Sequence, residues 1–247
     1  MLNPIDSSEQ QARQAKIAPI FEALKQVYGP LVWRPDKATE PMDELISCIL
    51  SQNTSDVNRD KAFFAMKAHF RTWQAVADAP TPELIDVLRP AGLANQKAPR
   101  IQAVLRRIYA ERGAYDIGFL RDLPQEDARA WLMSFDGIGP KTAAIVLCFA
   151  FGLPALPVDT HVHRVSTRLG LIPPKTTADK AHPLLEALVP GHWHYPFHIY
   201  LIRHGRETCT ARTAHCQRCP LTELCDHYQT LTRGTPKAPA RTPKKQA

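Results

Sequence analysis

An amine and a carboxylate stand eighteen residues apart in the stretch 134–169, SFDGIGPKTAAIVLCFAFGLPALPVDTHVHRVSTRL: Lys141 follows a glycine-rich turn, and Asp159 follows a proline-broken loop. Lys141 falls near the start of a helix. There the helix dipole disfavours a cation and favours a neutral amine, and partial desolvation is expected to push the same way, towards a nucleophile. A lysine at such a place also serves as a phosphate contact or a solvated first-turn residue. Asp159 stands just before a helix starting at Thr160, where aspartate is a preferred N-cap. Capping and chemistry are compatible, because one oxygen can accept helix N–H groups while the other faces a reacting atom.

Gly137 and Gly139 flank Ile138 in the turn ahead of Lys141. They permit backbone angles, or a close approach, that a side chain obstructs. Such a turn opens a helix whose free N–H groups point outward and can seat a phosphate. A tight helix–helix connection without any ligand needs the same spacing. Behind the turn, Ala143, Val146, Leu147 and Ala150 form a narrow apolar face suited to close helix packing.

Four of the six cysteines crowd into residues 209–225 as Cys209-x6-Cys216-x2-Cys219-x5-Cys225, whereas Cys48 and Cys148 lie in apolar surroundings as buried thiols. Clustered cysteines in a chain whose start, MLNPIDSSEQQ, lacks signal-peptide character point to metal binding rather than disulfides. Four thiolates can hold a tetrahedral zinc ion or one corner each of an iron–sulfur cubane. Zinc sites commonly use two tight C-x2-C pairs, and only one is present, so the uneven spacing suits the larger object.

Helices must position these groups. Apolar periodicity and end signals predict them at about 14–28, 41–50, 57–69, 72–79, 82–89, 97–111, 125–135, 177–189 and 195–207, beside the two of the central hairpin and the one from Thr160, with a short helix near 220–228. Thr81 reads as the cap before Pro82, and Gly113 as a stop. No useful strand alternation is found, so an all-α protein is expected. The polar run Ser51, Gln52, Asn53, Thr54, Ser55, Asp56 between two apolar helices is either a long cap or a ligand surface.

The 247 residues carry a formal charge of +7 with 44% hydrophobic and 22% charged residues, as in ordinary soluble proteins with an anionic partner. Five basic residues and no acidic ones lie from Thr232 onward, leaving +2 for the body. That tail reads as disordered, and nucleic-acid binding has to rest on local patches. No run of about 18 apolar residues occurs. An intracellular protein is expected, cytoplasmic and nucleoid-associated if bacterial, monomeric and without a membrane partner.

With these residues in view, the sequence resembles the endonuclease III family of helix-hairpin-helix DNA glycosylases. The family hairpin is matched by Phe135, Asp136, Gly137, Ile138, Gly139, Pro140, Lys141, Thr142 and Ala143, with Asp136 in place of a usual proline, and the family's Val-Asp-Thr-His segment by Val158, Asp159, Thr160 and His161. The resemblance spans roughly residues 20–228. It implies a six-helix barrel-like domain at 42–153, an iron–sulfur domain made of 1–41 together with 154–229, a basic disordered tail at 230–247, and double-stranded DNA lying across the cleft between the two domains.

The same resemblance implies a bifunctional N-glycosylase and abasic-site lyase of base excision repair, acting on oxidised pyrimidines in duplex DNA. Lys141 is the nucleophile at the sugar carbon and Asp159 assists it. Cys209, Cys216, Cys219 and Cys225 hold a [4Fe-4S] cluster that fixes a loop lacking a large core. Leu93 matches an apolar residue inserted into the duplex, and Gln52, Asn53 and Thr54 match a polar gap-filling segment in which glutamine is common at position 53. Gly137, Gly139, Thr142, Asn95, His161 and Arg212 are further expected DNA contacts. The rival readings are another glycosylase of the superfamily, acting on mismatched or alkylated bases, and a non-catalytic DNA-binding protein.

Overall fold

The computed structural model describes residues 7–233. The architecture is all-α: α1 Ser7–Tyr28, α2 Pro41–Ser51, α3 Asp56–Phe70, α4 Trp73–Asp78, α5 Thr81–Leu88, α6 Ala94–Arg112, α7 Gln125–Met133, α8 Pro140–Ile145, α9 Thr160–Leu169, α10 Ala178–Leu188, α11 His194–Glu207 and α12 Asp226–Arg233. A π-helical turn, Val146–Ala150, continues α8. Among the described residues the β-structure is one isolated bridge between Cys209 and Ala214.

Side-chain caps set several helix starts. Glu40 accepts from Asp43 N and precedes Pro41, Ser55 accepts from Asn58 N, and Thr72 accepts from Ala75 N. Each satisfies a backbone donor that the helix itself leaves unpaired. At the other ends, Gly113 and Gly170 close α6 and α9 in the left-handed conformation, with φ of 70° and 76°.

The apolar faces gather into two cores. The first runs from Met42 to Ala155 and joins α2 to α8 and the π-turn. The second unites α1 with α9, α10 and α11, and includes Leu221 from the cysteine loop. Ile17, Ile20 and Leu24 of α1 are at most 1% exposed. Each contributes about 1.5–3 kcal/mol on burial, enough to dock α1 on helices more than a hundred residues away. Phe21 stacks on Trp193 at 4.2 Å, and the Tyr200 hydroxyl donates to Gly29 O. Arg129 of α7 reaches Glu186 of α10 at 2.9 Å and links the two cores.

Several boundaries differ from the sequence expectation. α1 begins at Ser7, seven residues early, and α7 stops at Met133 rather than Phe135. Pro80, not Thr81, is the cap of α5, because the Thr81 hydroxyl is used on Gln102 Oε1 at 2.8 Å. α6 starts at Ala94 instead of 97, so Asn95 lies in a helical first turn and not in a loop. The expected helix near 220–228 is a short 3-10 turn, Thr222–Leu224, followed by α12. α12 takes residues 230–233 out of the expected tail, and the remainder of that tail lies outside the described residues.

Candidate active site

A cleft of about 720 Å³ opens where α2, α8, α9 and α11 meet, and Lys141, Asp159, Thr160 and His161 all line it. Lys141 is exposed, so the expected partial desolvation is absent in the DNA-free protein. Asp159 is half-buried, and its Oδ1 accepts from Val162 N at 2.7 Å, the N-cap of α9. Among the described residues no hydrogen bond is formed to its second oxygen. One carboxylate therefore holds a helix start and faces the cleft at once.

Behind Asp159, buried His198 donates through Nδ1–H to Pro157 O at 2.8 Å. Burial holds this imidazole down to about 4, against the nearby Asp159 charge. Glu44, on the wall formed by α2, is pushed above the usual carboxylate range by burial, opposed by hydrogen bonds from Thr39 and Cys48 and by the Arg59 charge. The Cys48 thiol donates to it at 3.6 Å. Asp56 at the start of α3 bridges to Arg206 of α11 at 3.1 Å, so an ion pair spans the cleft mouth.

The hairpin turn is braced from α6. Gly137 has a φ of +77°, and a Cβ there would stand 2.5 Å from the Arg100 guanidinium. Gln52 Nε2 donates to Gly137 O at 2.8 Å, while Arg100 donates to Gln52 Oε1 at 2.9 Å. Gln52 thus spends both ends of its amide inside the protein. Gly139 is different, because its backbone is extended and the space beside it is open. The second glycine leaves a bare helix N-terminus, the arrangement in which N–H groups can meet an anion.

Asn53 and Leu93 both hold left-handed backbone, with φ of 53° and 51°. Leu93 is 47% exposed, which sets it apart from an ordinary loop anchor. Thr54 donates to Ala91 O, while Asn95 is exposed in the first turn of α6. Thr142 is only 8% exposed and presents little surface. The His161 ring meets Arg164 at 3.2 Å, and the Arg164 guanidinium also reaches Gly205 O and Cys209 O. Arg212 is exposed on the cysteine loop.

Cys209, Cys216, Cys219 and Cys225 line one small, largely apolar cavity with Val165, Leu169 and Leu221. Arg168 donates to Cys209 Sγ at 3.2 Å, and Leu221 N donates to Cys219 Sγ at 3.5 Å. Burial pushes the Cys219 and Cys225 thiols up, and the charges of neighbouring cysteines push further. Among the described residues no group of three or more His, Cys, Asp or Glu side chains is drawn close enough to hold a single metal ion. The four thiols border one cavity, and two N–H donors reach their sulfurs.

Sequence reasoning missed Lys97, Arg100, Glu44 and His198. A signal existed for Lys97, which shares the helical spacing 97, 101, 104, 108 with Ile101, Val104 and Ile108 and so falls on the buried face of α6. Arg100 and His198 had none, because their partners lie far away in sequence.

Comparison with known proteins agrees with this arrangement. Residues 46–191 match the family model described as HhH-GPD superfamily base excision DNA repair protein. An endonuclease III of Thermotoga maritima is 35% identical over 201 residues, which cover 81% of this chain and 90% of that protein. Endonuclease III in a non-covalent complex with DNA superposes with a TM-score of 0.75 at 29% identity, over 89% of this chain and 98% of that one. Endonuclease III in a trapped covalent intermediate with DNA superposes with a TM-score of 0.74 at the same identity, over 89% and 99%. On fold, hairpin and relatives together, the chain belongs to the HhH-GPD superfamily of base excision DNA repair proteins.

Proposed function

We propose that this chain is a bifunctional DNA N-glycosylase and abasic-site lyase that excises oxidised pyrimidines from duplex DNA. The observation that carries the reading is the shared cleft, in which an exposed primary amine and a half-buried carboxylate face one space beside a phosphate-seating hairpin. The damaged nucleotide has to leave the stack to enter it. The neutral Lys141 amine attacks C1′, the C1′–N bond breaks, and the base leaves with the bonding electron pair. The attached amine gives up a proton, the C1′–O4′ bond opens with O4′ taking up a proton, and the resulting iminium ion acidifies the neighbouring C2′ proton, whose loss expels the 3′ phosphate by β-elimination. Asp159 orients the amine and stabilises positive charge developing on the sugar. Because Lys141 is exposed in the free protein, the bound duplex supplies the desolvation that the reaction benefits from.

Leu93, Asn53 and Thr54 fill the gap left in the duplex, and Gly137, Gly139, Thr142, Asn95, His161 and Arg212 serve the DNA contact. The two hydrophobic cores support a division into a domain at 42–153 and a second built from 1–41 with 154–229. In that second domain Cys209, Cys216, Cys219 and Cys225 would hold a [4Fe-4S] cluster. A cluster saturated by four thiolates supplies cross-linking of the loop rather than an open coordination position. Arg164 and Arg168 tie that loop to α9, the helix that Asp159 caps.

Borohydride trapping on an abasic duplex tests the chemistry. Wild-type protein is expected to form a covalent adduct that Lys141→Ala abolishes, and an undiminished adduct in that variant overturns the assignment. Absorption near 400 nm with about four irons per chain is expected of the purified protein. A colourless protein carrying one zinc ion rules the cluster out.

A further inference from the structure

The two outward left-handed residues, Asn53 and Leu93, share one buried ammonium. Lys97 is 1% exposed, and its Nζ donates to Leu50 O at 2.7 Å, Ala91 O at 2.8 Å and the Thr54 hydroxyl at 3.3 Å. Leu50 lies in the last turn of α2 and Ala91 ends the 3-10 turn Arg89–Ala91, so the cation sits at the carbonyl end of α2, where the helix dipole favours positive charge. The Thr54 hydroxyl completes the set by donating to Ala91 O. Lys97 also donates its backbone N–H to Leu93 O at 3.0 Å.

These bonds cross-link the polar turn after α2 to the turn before α6 on the side away from solvent. Asn53 and Leu93 lie within these two turns, and Leu93 projects outward as a half-exposed apolar side chain. Left-handed backbone is tolerated by asparagine but unfavourable for leucine, so the Leu93 turn does not keep this shape by local preference. Strained positions of this kind persist where the surroundings over-determine them. The buried lysine and its acceptors are those surroundings.

We propose that Lys97 is a positioning residue for nucleotide extrusion, whose ammonium locks the Asn53 and Leu93 turns into one rigid two-pronged wedge before DNA arrives. The inference rests on the glycosylase reading and deepens it. Lys97 touches no reacting atom; it removes the ordering that two loose turns would otherwise undergo during insertion into the duplex. Its removal leaves the buried Leu50 carbonyl without this donor and Ala91 O with the Thr54 hydroxyl alone, and frees the prongs from one another.

The test compares a step that needs extrusion with one that does not. Single-turnover base removal is measured on a thymine-glycol duplex, and strand cleavage on a single-stranded abasic oligonucleotide. Lys97→Met is expected to slow the duplex reaction about 30-fold and the single-strand reaction less than about twofold, the scale set by loss of geometry remote from the chemistry. Lys97→Gln, which keeps a neutral donor in place of the ammonium, is expected to give a smaller loss on the duplex alone, and it carries the test if Lys97→Met does not fold. Leu93→Ala added to Lys97→Met is expected to cost little more, since the prong is already uncoupled. Equal losses on both substrates, full duplex activity in both variants, or strict additivity with Leu93→Ala overturns the inference. A wild-type protein that cleaves neither substrate instead overturns the glycosylase reading itself.

Discussion

The guanidinium of Arg100 occupies the space where a side chain on Gly137 would begin, with Cζ and Nε each 2.5 Å from the position of a Cβ. A helix in the first core thereby sets the height of the hairpin turn, and Gln52 transmits the same constraint to the polar turn. The hairpin turn and the polar turn are both held against one helix, α6.

Gly137→Ala tests this brace. The substitution meets a φ of +77° that an L side chain rarely adopts and displaces the Arg100 guanidinium, so the turn or its brace must move. Cleavage of an abasic duplex is expected to fall at least about tenfold with the fold retained. In an Arg100→Ala background the clash is gone but the backbone strain remains, so the further effect of Gly137→Ala is expected to shrink without vanishing. Unchanged cleavage in Gly137→Ala alone would refute the brace.

Asp159 combines a cap with a proposed chemical role, and the two can be separated. Asparagine caps as well as aspartate does, so Asp159→Asn is expected to keep thermal stability while borohydride trapping drops about 100-fold. Asp159→Ala loses the cap too, and about 1 kcal/mol of stability with it. Trapping at the wild-type level in Asp159→Asn would assign the carboxylate to capping alone.

His198 predicts an acid-side loss of stability. Its folded-state value of about 4 lies below the ordinary histidine value of 6.5. The unfolded chain therefore binds the proton first as pH falls, so stability present above 6.5 is lost progressively towards 4. Urea midpoints measured across that window are expected to fall more steeply for wild type than for His198→Asn. Parallel curves would show that the ring does not titrate as its burial requires.

Glu44 predicts the opposite slope. Burial raises its carboxyl, so the folded state holds the proton to a higher pH than the unfolded chain. Its contribution is full below the unfolded value and is lost as pH rises through the folded one. Glu44→Gln removes the ionisation, and its stability relative to wild type is expected to rise as pH increases above the ordinary carboxylate range. A pH-independent difference in the melting temperature would contradict this.

Much of the helical framework was legible locally, because apolar periodicity, proline and glycine act within a few residues. Two boundaries, at α5 and α6, went astray for non-local reasons. Thr81 had a distant partner in Gln102 that drew its hydroxyl away from capping, and α6 gained three residues because Leu93 accepted a left-handed backbone that its own side chain disfavours. Neither partner is visible in a sequence window.

An all-α chain, an amine and a carboxylate each beside a helix start, and four cysteines grouped in one loop were readable from the residues alone, since these follow from residue type and short spacing. The packed helices were needed to bring the amine and carboxylate to one cleft, to bind Gln52 to the hairpin turn, and to seal Lys97 beneath the Asn53 and Leu93 turns. The reason is physical: a long polar side chain is committed to solvent or to the interior by whichever carbonyls the packed helices place within its reach, and only the assembled fold positions those acceptors.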